Sequence, residues 1–116
     1  MQPENTIDVN GSKWWYLHGK LHRTDGPAVE RADGDKEWWV NGERHRTDGP
    51  AIEGSNGYRA WYLNAERHRN DGPAIIWASG RKYWYLRGNK YTFNEWLEAN
   101  TEILEEEKVM MKLQYG

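Results

Sequence analysis

The stretch Asp33-Gly34-Asp35-Lys36-Glu37-Trp38-Trp39-Val40-Asn41-Gly42-Glu43-Arg44-His45-Arg46-Thr47-Asp48-Gly49-Pro50-Ala51 decides the fold. It holds two turn pairs, Asp33-Gly34 and Asn41-Gly42, of the kind that tolerates positive φ and favours tight hairpin turns. The aromatic run between them reads as a short strand. A third turn at Asp48-Gly49 precedes a second strand that opens on Pro50-Ala51, where proline removes only one edge donor. Shifted by 23 residues, the pattern recurs. Gly11, Gly34, Gly57 and Gly80 start four blocks; Trp15, Trp38, Trp61 and Trp84 follow, then Leu17, Val40, Leu63 and Leu86. Three blocks carry His-Arg-x-Asp-Gly-Pro-Ala, from His22 to Ala28, His45 to Ala51 and His68 to Ala74. A fixed period of this length signals stacked supersecondary units, each burying its face against its neighbours.

The expected fold class is therefore mainly β: an elongated, meandering array of four β-hairpin units with a C-terminal α-helical cap. Residues 1–10 read as a loose, flexible leader and 11–91 as the array. In the column His18-Gly19, Asn41-Gly42, Asn64-Ala65 and Arg87-Gly88, Ala65 breaks the glycine pattern. A positive φ is strained for alanine, so that turn is expected to differ. Residues 92–116 leave the repeat. Thr92 and Glu95 have capping-box spacing, and Phe93, Trp96, Leu97, Ile103, Leu104, Met110 and Met111 recur at helical spacing. One amphipathic helix over 93–112 is expected to cover the apolar end and the last strand edge.

Composition narrows the function classes. The chain has 116 residues, eight Trp and no cysteine, which excludes a disulfide frame and a thiolate zinc site. No apolar run approaches membrane-spanning length, and the polar, acidic start is unlike a secretory signal, so an intracellular location is expected. The array holds 14 Lys/Arg against 10 Asp/Glu, a net +4, whereas 92–116 holds 2 Lys and 6 Glu, a net −4. That is a weak basis for nucleic-acid binding. Ser12, Ser55 and Ser79 lie in or beside turns with no local base, and no glycine-rich phosphate loop precedes a helix. The three repeated His would lie about 10 Å apart, too far to share one ion. No enzyme, metal or cofactor is expected.

Two repeated rows are the candidate sites. Side chains alternate across a strand, so Trp15, Trp38, Trp61 and Trp84 share the expected core face with the Leu/Val column. Tyr16, Trp39, Tyr62 and Tyr85, flanked by Trp14 and Tyr83, point to the other face. Aromatics in register there suit a protein partner or stacked bases; the plain alternative is strand propensity, or a sheet that coils and covers both faces. The second row is Arg23, Arg46 and Arg69, whose planar donor forks suit phosphates or carboxylates. Its structural alternative is that Asp caps the turn, Arg pairs with Asp or stacks on Trp, and His bonds a turn carbonyl.

The segment Ala32-Asp33-Gly34-Asp35-Lys36-Glu37-Trp38-Trp39-Val40-Asn41-Gly42-Glu43-Arg44-His45 resembles a MORN repeat, read roughly as Asn-Gly-Asp, aromatic, x-Gly-x-Trp-x-Asn-Gly-x-x-His-Gly. The resemblance covers about 80 of the 116 residues. After the histidine, MORN repeats usually continue Gly-x-Gly, whereas this chain has Arg-x-Asp-Gly-Pro-Ala. That variant, with the capped Glu-Trp-Leu-Glu ending, resembles small MORN-like proteins of large bacteriophages and giant viruses. The resemblance implies a non-enzymatic binding module, phage- or virus-encoded, acting on a host protein or complex, with inhibition of a host defence as one form. Three readings stand beside it: a nucleotide-sequestering protein using Arg23, Arg46 and Arg69; nucleic-acid binding; and homo-oligomers formed through an open N-terminal sheet edge near residues 11–17.

Overall fold

The computed structural model describes residues 2–116 as an elongated body with extents of 47 × 30 × 20 Å. It is an open antiparallel β meander. Its chain order is β1 (Glu4–Ile7), β2 (Lys13–Leu17), β3 (Lys20–Leu21), β4 (Val29–Glu30), β5 (Lys36–Glu37), β6 (Trp39–Val40), β7 (Glu43–Arg44), β8 (Ile52–Glu53), β9 (Arg59–Ala60), β10 (Tyr62–Leu63), β11 (Glu66–Arg67), β12 (Ile75–Ile76), β13 (Lys82–Leu86) and β14 (Asn89–Tyr91), then α1 (Phe93–Ala99) and α2 (Glu105–Tyr115). The main sheet runs β1-β2-β4-β5-β8-β9-β12-β13-β14, with β3 on β2; β6-β7 and β10-β11 are separate hairpins. No helix among the described residues is long and apolar enough to cross a membrane.

The repeated tryptophan is the pivot of each unit. Trp38 donates its N–H to Ala51 O (2.7 Å), and its carbonyl accepts from His45 N–H (3.1 Å); Trp15 and Trp61 make the same pair of bonds. Before the tryptophan, the strand pairs with the second strand of its block. After it, the chain pairs across the hairpin, Trp39 opposite Arg44 and Tyr62 opposite Arg67. Changing partners at a fixed residue bends the sheet, so one flat face cannot hold the core.

The glycine-led turns have the expected geometry, with positive φ at Gly11, Gly34, Gly57 and Gly80. The second turn column is left-handed at both central residues throughout. Ala65 corrects the expectation of a different turn: it sits at φ 69° and donates its N–H to Arg44 O (2.9 Å), as Gly88 does to Arg67 O. Two-residue hairpin turns demand this conformation, and the stacked neighbours impose it on alanine.

Residues 4–7 are a strand, not a loose leader. β1 pairs with β2 from Glu4 opposite Tyr16 to Ile7 opposite Lys13, and Asp8 receives the N–H groups of Asn10 and Ser12. The sheet edge at 11–17, offered above as an oligomer contact, is therefore covered by the chain's own start. The cap is also corrected, from one helix to two. The capping box is present, with Thr92 Oγ1 accepting from Glu95 N–H (3.2 Å) and Glu95 Oε1 from Thr92 N–H (2.8 Å). α1 then stops at Asn100, whose buried side chain donates to Asn70 O (2.7 Å) and accepts from Glu102 N–H (3.1 Å). That bond turns the backbone out of the helix.

Two cores result. One joins Ala51, Ala60, Tyr62 and Ile75, with Trp38, Tyr58, Tyr83 and Tyr85 packed against it. The other joins Trp84, Leu86, Trp96 and Leu97 beneath the helices. The expectation that the Trp face alone is core is thus overturned: both faces carry buried apolar side chains. Ala65→Gly should raise stability by about 0.5–1 kcal/mol, because it relieves the left-handed strain at the cost of a more flexible unfolded chain. Chemical denaturation checks this, and an unchanged midpoint would mean that alanine is unstrained there.

Candidate functional site

The arginines of the motif are committed to the fold. In the second block, Arg46 Nε donates to Asp48 (2.9 Å), Nη1 donates to Pro50 O (3.0 Å), and the guanidinium carbon lies 3.7 Å from the centre of the Trp38 ring. Arg23 repeats this with Asp25, Pro27 O and Trp15, and Arg69 with Asp71, Pro73 O and Trp61. The hydrogen bond and charge of Arg23 hold the Asp25 carboxyl below the usual carboxylate range, and Arg46 does the same to Asp48. A depressed folded-state pKa means that the pair's stabilisation is present at neutral pH and is lost as pH falls through the folded value. The groove of about 720 Å³ beside this row is lined by Asp48, Asp71, Glu102 and Glu107 as well as by Arg46 and Arg69. Four carboxylates around two paired guanidinium groups disfavour a phosphate. The row takes the turn-bracing arrangement of the structural alternative, with Arg23, Arg46 and Arg69 each paired to the motif aspartate.

The other motif residues are explained by the same clamp. Each histidine Nδ1 accepts a backbone N–H from the next block's hairpin turn: His22 from Asn41 (3.0 Å), His45 from Asn64 (3.0 Å) and His68 from Arg87 (2.8 Å). The bond expected was to a turn carbonyl. An accepting Nδ1 instead leaves the proton on Nε2. Ala28, Ala51 and Ala74 are fully buried. The glycine before each proline lies under the guanidinium; a Cβ on Gly72 would stand 2.7 Å from Arg69 Cζ. Gly72→Ala should therefore push Arg69 off Trp61 and cost about 1–2 kcal/mol. A urea melt measures it, and a neutral result would show that the guanidinium shifts freely.

The opposite row is different in kind from a bare aromatic stripe. Hairpin register places Leu21 opposite Tyr16, Arg44 opposite Trp39, Arg67 opposite Tyr62 and Lys90 opposite Tyr85. Each arginine spans two rungs. Arg44 lies 4.9 Å from the Trp39 ring and 5.6 Å from Tyr62; Arg67 lies 5.9 Å from Tyr62 and 5.5 Å from Tyr85, and bonds the Tyr62 hydroxyl (3.1 Å). Lys90 Nζ is 4.2 Å from the Tyr83 ring. Tyr62 is only 8% exposed, so it is core and cannot meet a partner directly. Tyr16 is exposed; Trp39, Tyr83 and Tyr85 are half-buried. Trp14, also half-buried, is occupied by Asp8, which accepts from its Nε1, and by Arg31 at 5.0 Å. The solvent side of this face is thus a ladder of cations resting on rings.

Its cations are unevenly paired, and Glu66 shares the groove lined by Arg44, Tyr62 and Arg67. Arg44 lies 3.7 Å from the buried carboxylate of Glu37, which Arg31 also holds at 2.9 Å. Neither Arg67 nor Lys90 forms an ion pair among the described residues. Burial pushes the Tyr58 phenol up, against the lowering pull of the nearby Arg67 and Arg44. Sequence reading singled out the rings and missed Arg44, Arg67 and Lys90. The signal was present, since Leu21, Arg44, Arg67 and Lys90 form a 23-residue column set opposite the rings by a two-residue turn. Among the described residues, no three His, Asp or Glu side chains gather as a metal site.

No protein-family model matches the chain, and no match was found among curated proteins.

Proposed function

We propose that the chain is a small, non-enzymatic binding protein whose contact face is the ladder Trp39, Arg44, Tyr62, Arg67, Tyr85 and Lys90, and whose partner is a protein with an acidic surface. The observation that carries this reading is the cation set over each ring while Arg67 and Lys90 lack acidic partners. Arginine and tyrosine are the side chains that dominate binding hot spots. A cationic strip gives electrostatic steering and selects against basic surfaces. Rings packed beneath hold the cations in place, so little side-chain entropy is lost on association. The buried Tyr62 acts here as a platform rather than as a contact.

The MORN-like resemblance supports a module encoded by a phage or virus that acts inside a host cell by occupying a host protein, with blockade of a defence as one form. A nucleotide-sequestering role through Arg23, Arg46 and Arg69 is not part of the proposal, because those groups serve the turns.

The test is capture of host proteins by the tagged chain beside Arg67→Glu/Lys90→Glu. Both positions are exposed, so the double variant should melt within a few degrees of wild type. The expected outcome is one acidic host protein held by wild type, lost in the variant and released by raising salt, since charge-driven contacts are screened over about 10 Å at 0.1 M. A partner retained equally by the charge-reversed variant would contradict the assignment of this face.

A further inference from the structure

The repeat breaks at one place that the fold does not explain. Trp77 stands where earlier blocks have Asp8, Arg31 and Gly54; Arg81 stands where they have Ser12, Asp35 and Tyr58; Tyr83 stands where they have Trp14, Glu37 and Ala60. In the first two units these columns find partners, in one another or in the next turn. Asp8 accepts from Trp14 Nε1 (3.3 Å), Arg31 pairs with Glu37 (2.9 Å), and Asp35 accepts from Ser55 N–H (2.7 Å). In the last unit they do not. Trp77 is 46% exposed, with its ring 4.8 Å from Tyr58, and the Arg81 side chain forms no ion pair among the described residues.

These departures converge on one open cleft. It has a volume of about 420 Å³ and is lined by Trp77, Ala78, Ser79, Arg81 and Tyr83, with no carboxylate on its wall. The half-exposed Trp77 ring lines it beside Tyr83, the guanidinium offers a planar donor fork for a phosphate, and the Ser79 hydroxyl adds a further polar group. Lys90 Nζ lies against the Tyr83 ring and keeps that side positive. Every nucleobase has a face that stacks on an aromatic ring, and a phosphate answers the unpaired Arg81.

We propose that this cleft binds a nucleobase carrying a 5′-phosphate, the base against Trp77 and the phosphate on Arg81. The site rests on Trp77 and Arg81, whereas the acidic-partner reading rests on Arg44, Arg67 and Lys90; the two meet where Lys90 lies on the Tyr83 ring. A free mononucleotide and the end of a single strand present the same chemistry, and the experiment separates them.

The probe is the full chain labelled with ¹⁵N, observed through its eight indole N–H resonances, with Trp77 assigned from the Trp77→Phe variant. AMP, adenosine and a 5′-phosphorylated adenine pentanucleotide are titrated in turn. With AMP, or with the pentanucleotide alone if the source is a strand, the Trp77 resonance should move saturably while that of the buried Trp96 stays fixed. Adenosine should bind at least about fivefold more weakly, and Arg81→Glu, checked beside Arg81→Gln, should weaken nucleotide binding about tenfold or more with unchanged melting. Comparable AMP and pentanucleotide affinities assign a free nucleotide; pentanucleotide affinity about tenfold higher assigns a strand end. The proposal is overturned if Trp77 does not respond to either probe, if adenosine binds as tightly as AMP, or if both Arg81 variants bind as wild type does.

Discussion

The structure depends on a guanidinium clamped onto a tryptophan. In each of the first three units, the arginine of the motif lies within 4 Å of a ring centre, holds an aspartate at the next turn and bonds the carbonyl of the proline. The ring belongs to the strand where the chain changes pairing partner, so the clamp fixes the bend of every unit. Glycine is required where the guanidinium passes, and alanine follows because the next strand lies against it. The fourth unit has no such arginine. Phe93 and Trp96 take its place over Trp84, at ring-centre distances of 4.8 and 4.7 Å. α1 is keyed to the third unit through Trp96 Nε1 on Arg69 O and Asn100 on Asn70 O. The helix thus serves the last tryptophan as arginine serves the others.

This arrangement separates two arginine columns that look equivalent in composition. Arg23, Arg46 and Arg69 are about 20% exposed, and each holds an aspartate, a proline carbonyl and a tryptophan ring. Arg44 and Arg67 are more open and rest on rings of two units at once. The His-Arg-x-Asp-Gly-Pro-Ala motif, reused in the first three blocks, serves the fold of each of them. Binding chemistry is better sought in columns that drift, such as Leu21, Arg44, Arg67 and Lys90, or Asp8, Arg31, Gly54 and Trp77.

Much of the architecture was legible from spacing. The period, the glycine-led turns, the capping box at Thr92 and the covered last hairpin all follow from local rules about φ, alternation and helix ends. The side of the core was not legible. Strict alternation assumes a flat strand, and the switch of partner at Trp38 and Trp61 lets Tyr62 become core. Ala65 resisted local reading because its neighbours, not its own preference, set its φ. The division of the cap at Asn100 depends on a carbonyl 30 residues away in sequence, and β1 depends on pairing with β2 rather than on any hydrophobic pattern of its own.

The most direct test of the division between bracing and binding arginines is thermal unfolding of Arg46→Gln beside Arg67→Gln. Losing the clamp at Arg46 removes its stacking on Trp38 and its bonds to Asp48 and Pro50, worth about 2 kcal/mol, so the midpoint should fall by roughly 5–10 °C. The more exposed Arg67 should cost no more than about 2–3 °C. An equal or larger fall for Arg67→Gln would make the ladder the brace of the fold and contradict its assignment as the contact face.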